Sequence, residues 1–139
     1  MPPQGVRWFA DESVLGFGKL LSAQRADVIH MGDPRIPELP LGSSDIEWMP
    51  IVAAYGWVAF HRDRRIRTRP AELAMFREAG LKAVWFGGRK DLRPSEQVTL
   101  ALKHWVRMEQ LAIVLGQGPW AMTLTGAGVR EYRLPAPEG

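Results

Sequence analysis

Cysteine is absent from the 139 residues, which removes disulfides, thiolate metal sites and cysteine nucleophiles together. Any bound metal must then be held by oxygen or imidazole, and that favours hard divalent cations. Also absent is an apolar run approaching the ~18 to 20 residues that cross a bilayer, so no membrane contact is expected. The opening MPPQGVRWFADES lacks the basic-then-apolar pattern of a secretory signal, which makes the cytoplasm the expected location. No repeat, low-complexity stretch or linker divides the sequence. A length of 139 residues suits one hydrophobic core, so a single domain over 1–139 is expected.

What is present reads as a packed globular chain, 46% apolar and 24% charged. The net charge of +3 is modest, yet fourteen of the eighteen basic residues are arginine, whose forked side chain suits phosphate. Arginine placement along the chain is therefore more informative than the excess charge.

Val6 to Ala10 is a short β-prone run, and Ser13 caps the apolar spacing Val14, Phe17, Leu20, Leu21, a helix ending near Gln24. Asp27 to Met31 is a second β-prone run, followed by a proline-rich loop. Ser44-Asp45-Ile46-Glu47 has capping-box spacing and opens a second helix that stops at Gly56, with Pro50 predicting a kink or a start near Trp48. Trp57 to Phe60 is a third strand, and Pro70 to Gly80 bounds a third helix. Lys82 to Phe86 is a fourth strand. Apolar positions from Pro94 to about Leu115 recur at helical spacing, which predicts one long helix. Around Gly126-Ala127-Gly128, two β-prone runs predict a hairpin or a final core strand with a short extension.

Strands alternating with helices predict a three-layer α/β/α fold around a mostly parallel sheet. In such a sheet Asp11, after strand one, and Asp63, after strand three, lie at the same carboxyl edge, flanking a topological switch point if the chain winds both ways from strand one. The helix that returns to strand three starts at that edge too, so Asp45 and Glu47 in its first turn also point there. Asp91, after strand four, is a further candidate. Carboxylates gathered in this way repel one another unless a divalent cation neutralises them, and hard oxygen ligands select magnesium or manganese. Such an ion lowers the pKa of a bound water and stabilises charge on a phosphate, the chemistry of phosphodiester hydrolysis. The stretch His61-Arg62-Asp63-Arg64-Arg65-Ile66-Arg67-Thr68-Arg69 supplies five arginines beside these carboxylates.

Three stretches together resemble a known family: Phe9-Ala10-Asp11-Glu12-Ser13-Val14-Leu15-Gly16, Ser44-Asp45-Ile46-Glu47-Trp48-Met49-Pro50, and Gly56-Trp57-Val58 running through Arg62-Asp63-Arg64-Arg65-Ile66-Arg67-Thr68-Arg69-Pro70. In order and spacing they are similar to the PIN-like domains, which include the ribonuclease toxins of VapBC-type toxin–antitoxin pairs. The resemblance covers roughly residues 6 to 86. It implies a magnesium- or manganese-dependent endoribonuclease with Asp11, Asp45 and Asp63 as catalytic metal ligands and water as nucleophile. Glu12, Glu47 and Asp91 are further candidate ligands, and Arg62, Arg64, Arg65, Arg67 and Arg69 would hold RNA. A cognate antitoxin protein and a homodimer, with the long helix as its surface, are implied as partners. Larger PIN nucleases bring a fourth acidic residue from later in the chain, and here Asp91 is the candidate.

Each residue also has a plainer reading. Asp11 and Asp45 cap helices, Glu47 partners Ser44 in a capping box, and Glu12 favours a helix dipole. Asp63 and its arginines form a surface ion network, and His61 is structural. The six tryptophans read as core, with Trp48 the exception to test as a base-stacking residue. Gly16-Phe17-Gly18 lacks the rest of a phosphate-loop pattern. A catalytically weak RNA- or antitoxin-binding domain is the rival function, and an aspartate-nucleophile phosphohydrolase ranks behind it for want of a DxD motif.

Overall fold

The computed structural model describes residues 2–62, 69–88 and 91–136. Six strands, β1 (Trp8–Ala10), β2 (Val28–His30), β3 (Val58–His61), β4 (Lys82–Phe86), β5 (Trp120–Thr125) and β6 (Gly128–Tyr132), form one sheet in the order β2-β1-β3-β4-β5-β6. β1 to β5 pair in parallel, and β6 returns antiparallel to β5. The final hairpin and the last core strand, alternatives in the sequence, are therefore both present.

Among the described residues five α-helices cover the sheet: α1 (Leu15–Ser22), entered through a 3-10 turn at Glu12–Val14, α2 (Asp45–Ala54), α3 (Pro70–Ala79), α4 (Pro94–Lys103) and α5 (Trp105–Leu115). Alternation along the strands sends side chains into two cores. Phe9, Ala59 and Trp85 pack with Trp48 and Val52 of α2 and Phe76 of α3. Trp8, Phe60 and Val84 pack with Phe17 of α1, Val98 of α4 and Met108 of α5. The result is a three-layer α/β/α fold.

Two elements depart from the periodicity. The stretch from Pro94 to Leu115 is two helices, because His104 leaves helical geometry (φ −109, ψ 15). The bend lets Ala101 on one helix and Trp105 and Met108 on the other reach the same core. In α2 the helix continues through Pro50. Pro50 lies on the exposed face, where the carbonyl it leaves unpaired can meet water. Gly80, in the left-handed region at φ 72, ends α3.

The glycines of α1 are explained by close packing. A Cβ at Gly18 would stand 2.5 Å from Ala10 Cβ and 3.0 Å from His30 Cβ, and one at Gly16 would stand 2.8 Å from Pro94 Cγ. The first lets α1 lie directly on β1 and β2; the second seats the start of α4 against α1. Gly18→Ala is expected to lower stability by about 1–2 kcal/mol, because overpacking outweighs the gain in helix propensity. A urea melt checks this, and an unchanged midpoint would contradict the packing account.

Candidate active site

With β2 on one side of β1 and β3 on the other, the winding reverses between β1 and β3, and a crevice opens at their carboxyl ends. Asp11 is the first residue past β1. It is buried and caps the 3-10 turn, with one carboxylate oxygen accepting from the Ser13 backbone N–H at 3.0 Å and from the Ser13 hydroxyl. Its other oxygen meets Nδ1 of His61, the last residue of β3. Ser13 closes the arrangement, because its hydroxyl oxygen accepts the Arg62 backbone N–H at 3.0 Å. The ends of β1 and β3 are thus tied together through one carboxylate and one hydroxyl. A carboxylate offers about four lone-pair sites. Three are used here, which leaves Asp11 one further bond to make.

The crevice is a cleft of about 360 Å3 lined by Asp11, Glu12, Asp45, Trp48, Arg69 and Glu72 among others. Asp45, in the first turn of α2, accepts from the Trp48 indole N–H at 3.0 Å. Trp48 is 1% exposed, so it is a core residue that holds Asp45 from below rather than a stacking platform. Glu12 is exposed and accepts from the Gly42 N–H at 3.2 Å. Arg69 and Glu72 pair at 3.6 Å on the opposite wall.

The other acids named from sequence are placed elsewhere. Glu47 is outside the cleft lining and accepts from the Ser44 hydroxyl at 2.7 Å and the Ser44 backbone N–H at 3.2 Å. These bonds hold its carboxyl below the ordinary glutamate range. The capping contribution is therefore fully present above the unfolded glutamate pKa of about 4.3 and is lost as pH falls through the lower folded value. An NMR titration should find the Glu47 midpoint depressed in the native chain and moved back up in Ser44→Ala. Asp91 is 95% exposed and pairs with Arg62 on the other side of the Glu12–Val14 turn. Asp63, Arg64, Arg65 and Arg67 lie outside the described residues.

Two members of this region were not selected from sequence. Glu72 lies in the first turn of α3, which starts at the same sheet edge as α2, so the reasoning that picks Asp45 applies to it as well. His61 reads in the sequence as a lone histidine; its partner, fifty residues earlier in the chain, becomes visible only through the pairing of β1 with β3.

Among the described residues no three histidine, aspartate or glutamate side chains are grouped closely enough to hold a metal ion. The donors that Asp11 and Asp45 present are nonetheless hard oxygens, the chemistry that magnesium and manganese require. A doubly wound sheet with carboxylates at its switch point and arginine on the cleft wall is the architecture of a nuclease-type domain. A family model described as PIN like domain matches residues 7–88, more than half of the chain, and the chain belongs to that family. No curated protein and no solved structure matches it significantly. The matched region ends just after β4, so α4, α5 and the hairpin lie outside it. PIN domains are generally nucleases that use divalent metals. No helix among the described residues is long and apolar enough to cross a membrane.

Proposed function

We propose that the chain is a magnesium- or manganese-dependent endoribonuclease and the toxin of a toxin–antitoxin pair. The observation that carries this reading is Asp11: a carboxylate buried at the switch point, fixed by Ser13 and His61, opening onto a cleft that also holds Asp45 and Arg69. Asp11 and Asp45, with Asp63, are the residues that would hold the metal. When bound, the metal would supply an acidified water and neutralise charge building on the phosphate.

The chain's own residues would do the rest. His61 and Ser13 keep the Asp11 carboxylate in one orientation, and the Trp48 indole does the same for Asp45. Arg69, with the arginines at 62, 64, 65 and 67, would draw the RNA backbone toward the acids; Glu72 keeps Arg69 against the wall until a phosphate competes for it. An antitoxin segment would act by filling the same cleft. Homodimerisation belongs to the same proposal, with Val106, Ile113 and Val114 exposed on α5 as the apolar surface for a second copy.

The test is cleavage of a mixed structured and single-stranded RNA pool by the purified chain in manganese, magnesium or EDTA, beside Asp11→Asn and Asp63→Asn. Cleavage that requires metal and falls at least about 100-fold in both variants is expected. RNA bound but uncut under every metal would favour the rival reading, a catalytically weak RNA- or antitoxin-binding domain.

A further inference from the structure

On the far side of the Glu12–Val14 turn from the acidic cleft lies a second recess of about 400 Å3. Glu12 and Ser13 belong to both, so one three-residue turn is the wall between them. The recess is lined by apolar Val14, Leu92 and Pro94 and by polar Arg62, Asp91 and Gln97. Its size lies within the range of small-molecule sites.

Gln97 is the anomaly. It stands in the first turn of α4, is 5% exposed, lines the recess, and among the described residues its carboxamide makes no hydrogen bond. The side-chain nitrogen and oxygen of Gln97 are not sealed from solvent, so the carboxamide of an otherwise buried residue keeps access to the recess and is open to bond whatever enters it. Gly16 helps to hold it there, because the close approach of Pro94 to that glycine fixes the first turn of α4 over the recess. Arg62 lines the same recess, and among the described residues its guanidinium pairs with Asp91, which is itself 95% exposed, so a phosphate can take Asp91's place.

We infer that this recess binds one nucleotide of single-stranded RNA next to the scissile phosphate, with Gln97 reading the edge of its base and Arg62 holding its phosphate. A carboxamide offers a donor and an acceptor side by side, the pattern that distinguishes base edges. The apolar residues receive the face of the base. The inference rests on the ribonuclease reading for its substrate class, but the recess and the cleft are separate enough to test apart.

The experiment is an NMR titration of the wild-type chain in EDTA with AMP, GMP, CMP, UMP and ribose 5-phosphate, which contain no phosphodiester bond to cleave. One or two of the nucleotides should shift the Gln97 side-chain amide signals and bind about tenfold more tightly than the others and than ribose 5-phosphate. Gln97→Met, of similar length, should remove that preference and keep the residual phosphate binding. Arg62→Ala should weaken all five ligands. Equal binding of the four nucleotides, no shift at Gln97, or a preference that survives in Gln97→Met would each overturn the assignment. Because the RNA cleavage assay reads the acidic cleft with metal present, a chain that cuts no RNA but selects a base here would lose the nuclease reading and keep the recess.

Discussion

Asp11→Ala is expected to destabilise the chain by about 3 kcal/mol, seen as a fall in Tm of roughly 10 °C, while Asp11→Asn costs no more than about 1 kcal/mol. The alanine leaves the His61 ring nitrogen and the Ser13 N–H without their acceptor in a region where the Asp11 and His61 side chains are 4% and 1% exposed. The asparagine keeps an oxygen for Ser13, and its amide can donate to an imidazole that has moved its proton to the other nitrogen. Both variants remove the anionic ligand and should lose manganese binding by calorimetry. The pair therefore separates what Asp11 does for the fold from the metal-holding role proposed for it. Equal Tm values for the two variants would show that the bond to His61 carries no stability.

Trp48→Phe is expected to weaken manganese binding by about 10- to 100-fold, the usual effect of removing a group that orients a metal ligand. Phenylalanine retains most of the packing against Phe9, whose ring centroid lies 5.7 Å away, and removes only the indole N–H from the Asp45 carboxylate. Far-UV circular dichroism should be unchanged. Unaltered metal affinity in a folded Trp48→Phe chain would mean that the indole bond is not what orients Asp45.

Most of the architecture can be read from the sequence because strands and helices announce themselves locally. Pro70 and Gly80 bracket α3, the Ser44–Glu47 box marks α2, and β4 falls on Lys82–Phe86 as expected. The bend at His104 could not be read, since no proline or glycine marks it and its cause is the shared core of Ala101 and Trp105. In the site, Asp11 and Asp45 follow from strand ends and helix starts. His61 on Asp11 and Trp48 beneath Asp45 do not, because a hydrogen bond across fifty residues or under a helix leaves no trace in spacing. Glu72 and Gln97 are a different case: both stand in first turns at the carboxyl edge of the sheet, and a uniform inspection of every such turn would have raised them.

The closing hairpin lies away from the cleft, and its consequence is colloidal. β5 reads Trp-Ala-Met-Thr-Leu-Thr, six residues with no charge and no proline, the composition of a segment that stacks with copies of itself when its edge is bare. β6 covers that edge along its length and turns outward a strand whose middle is Arg130 and Glu131, both exposed. Tyr132 anchors the cover by meeting Trp85 edge-on at 4.8 Å. The last strand of the sheet thus keeps a sticky ribbon out of reach of neighbouring molecules and offers them charged side chains in its place.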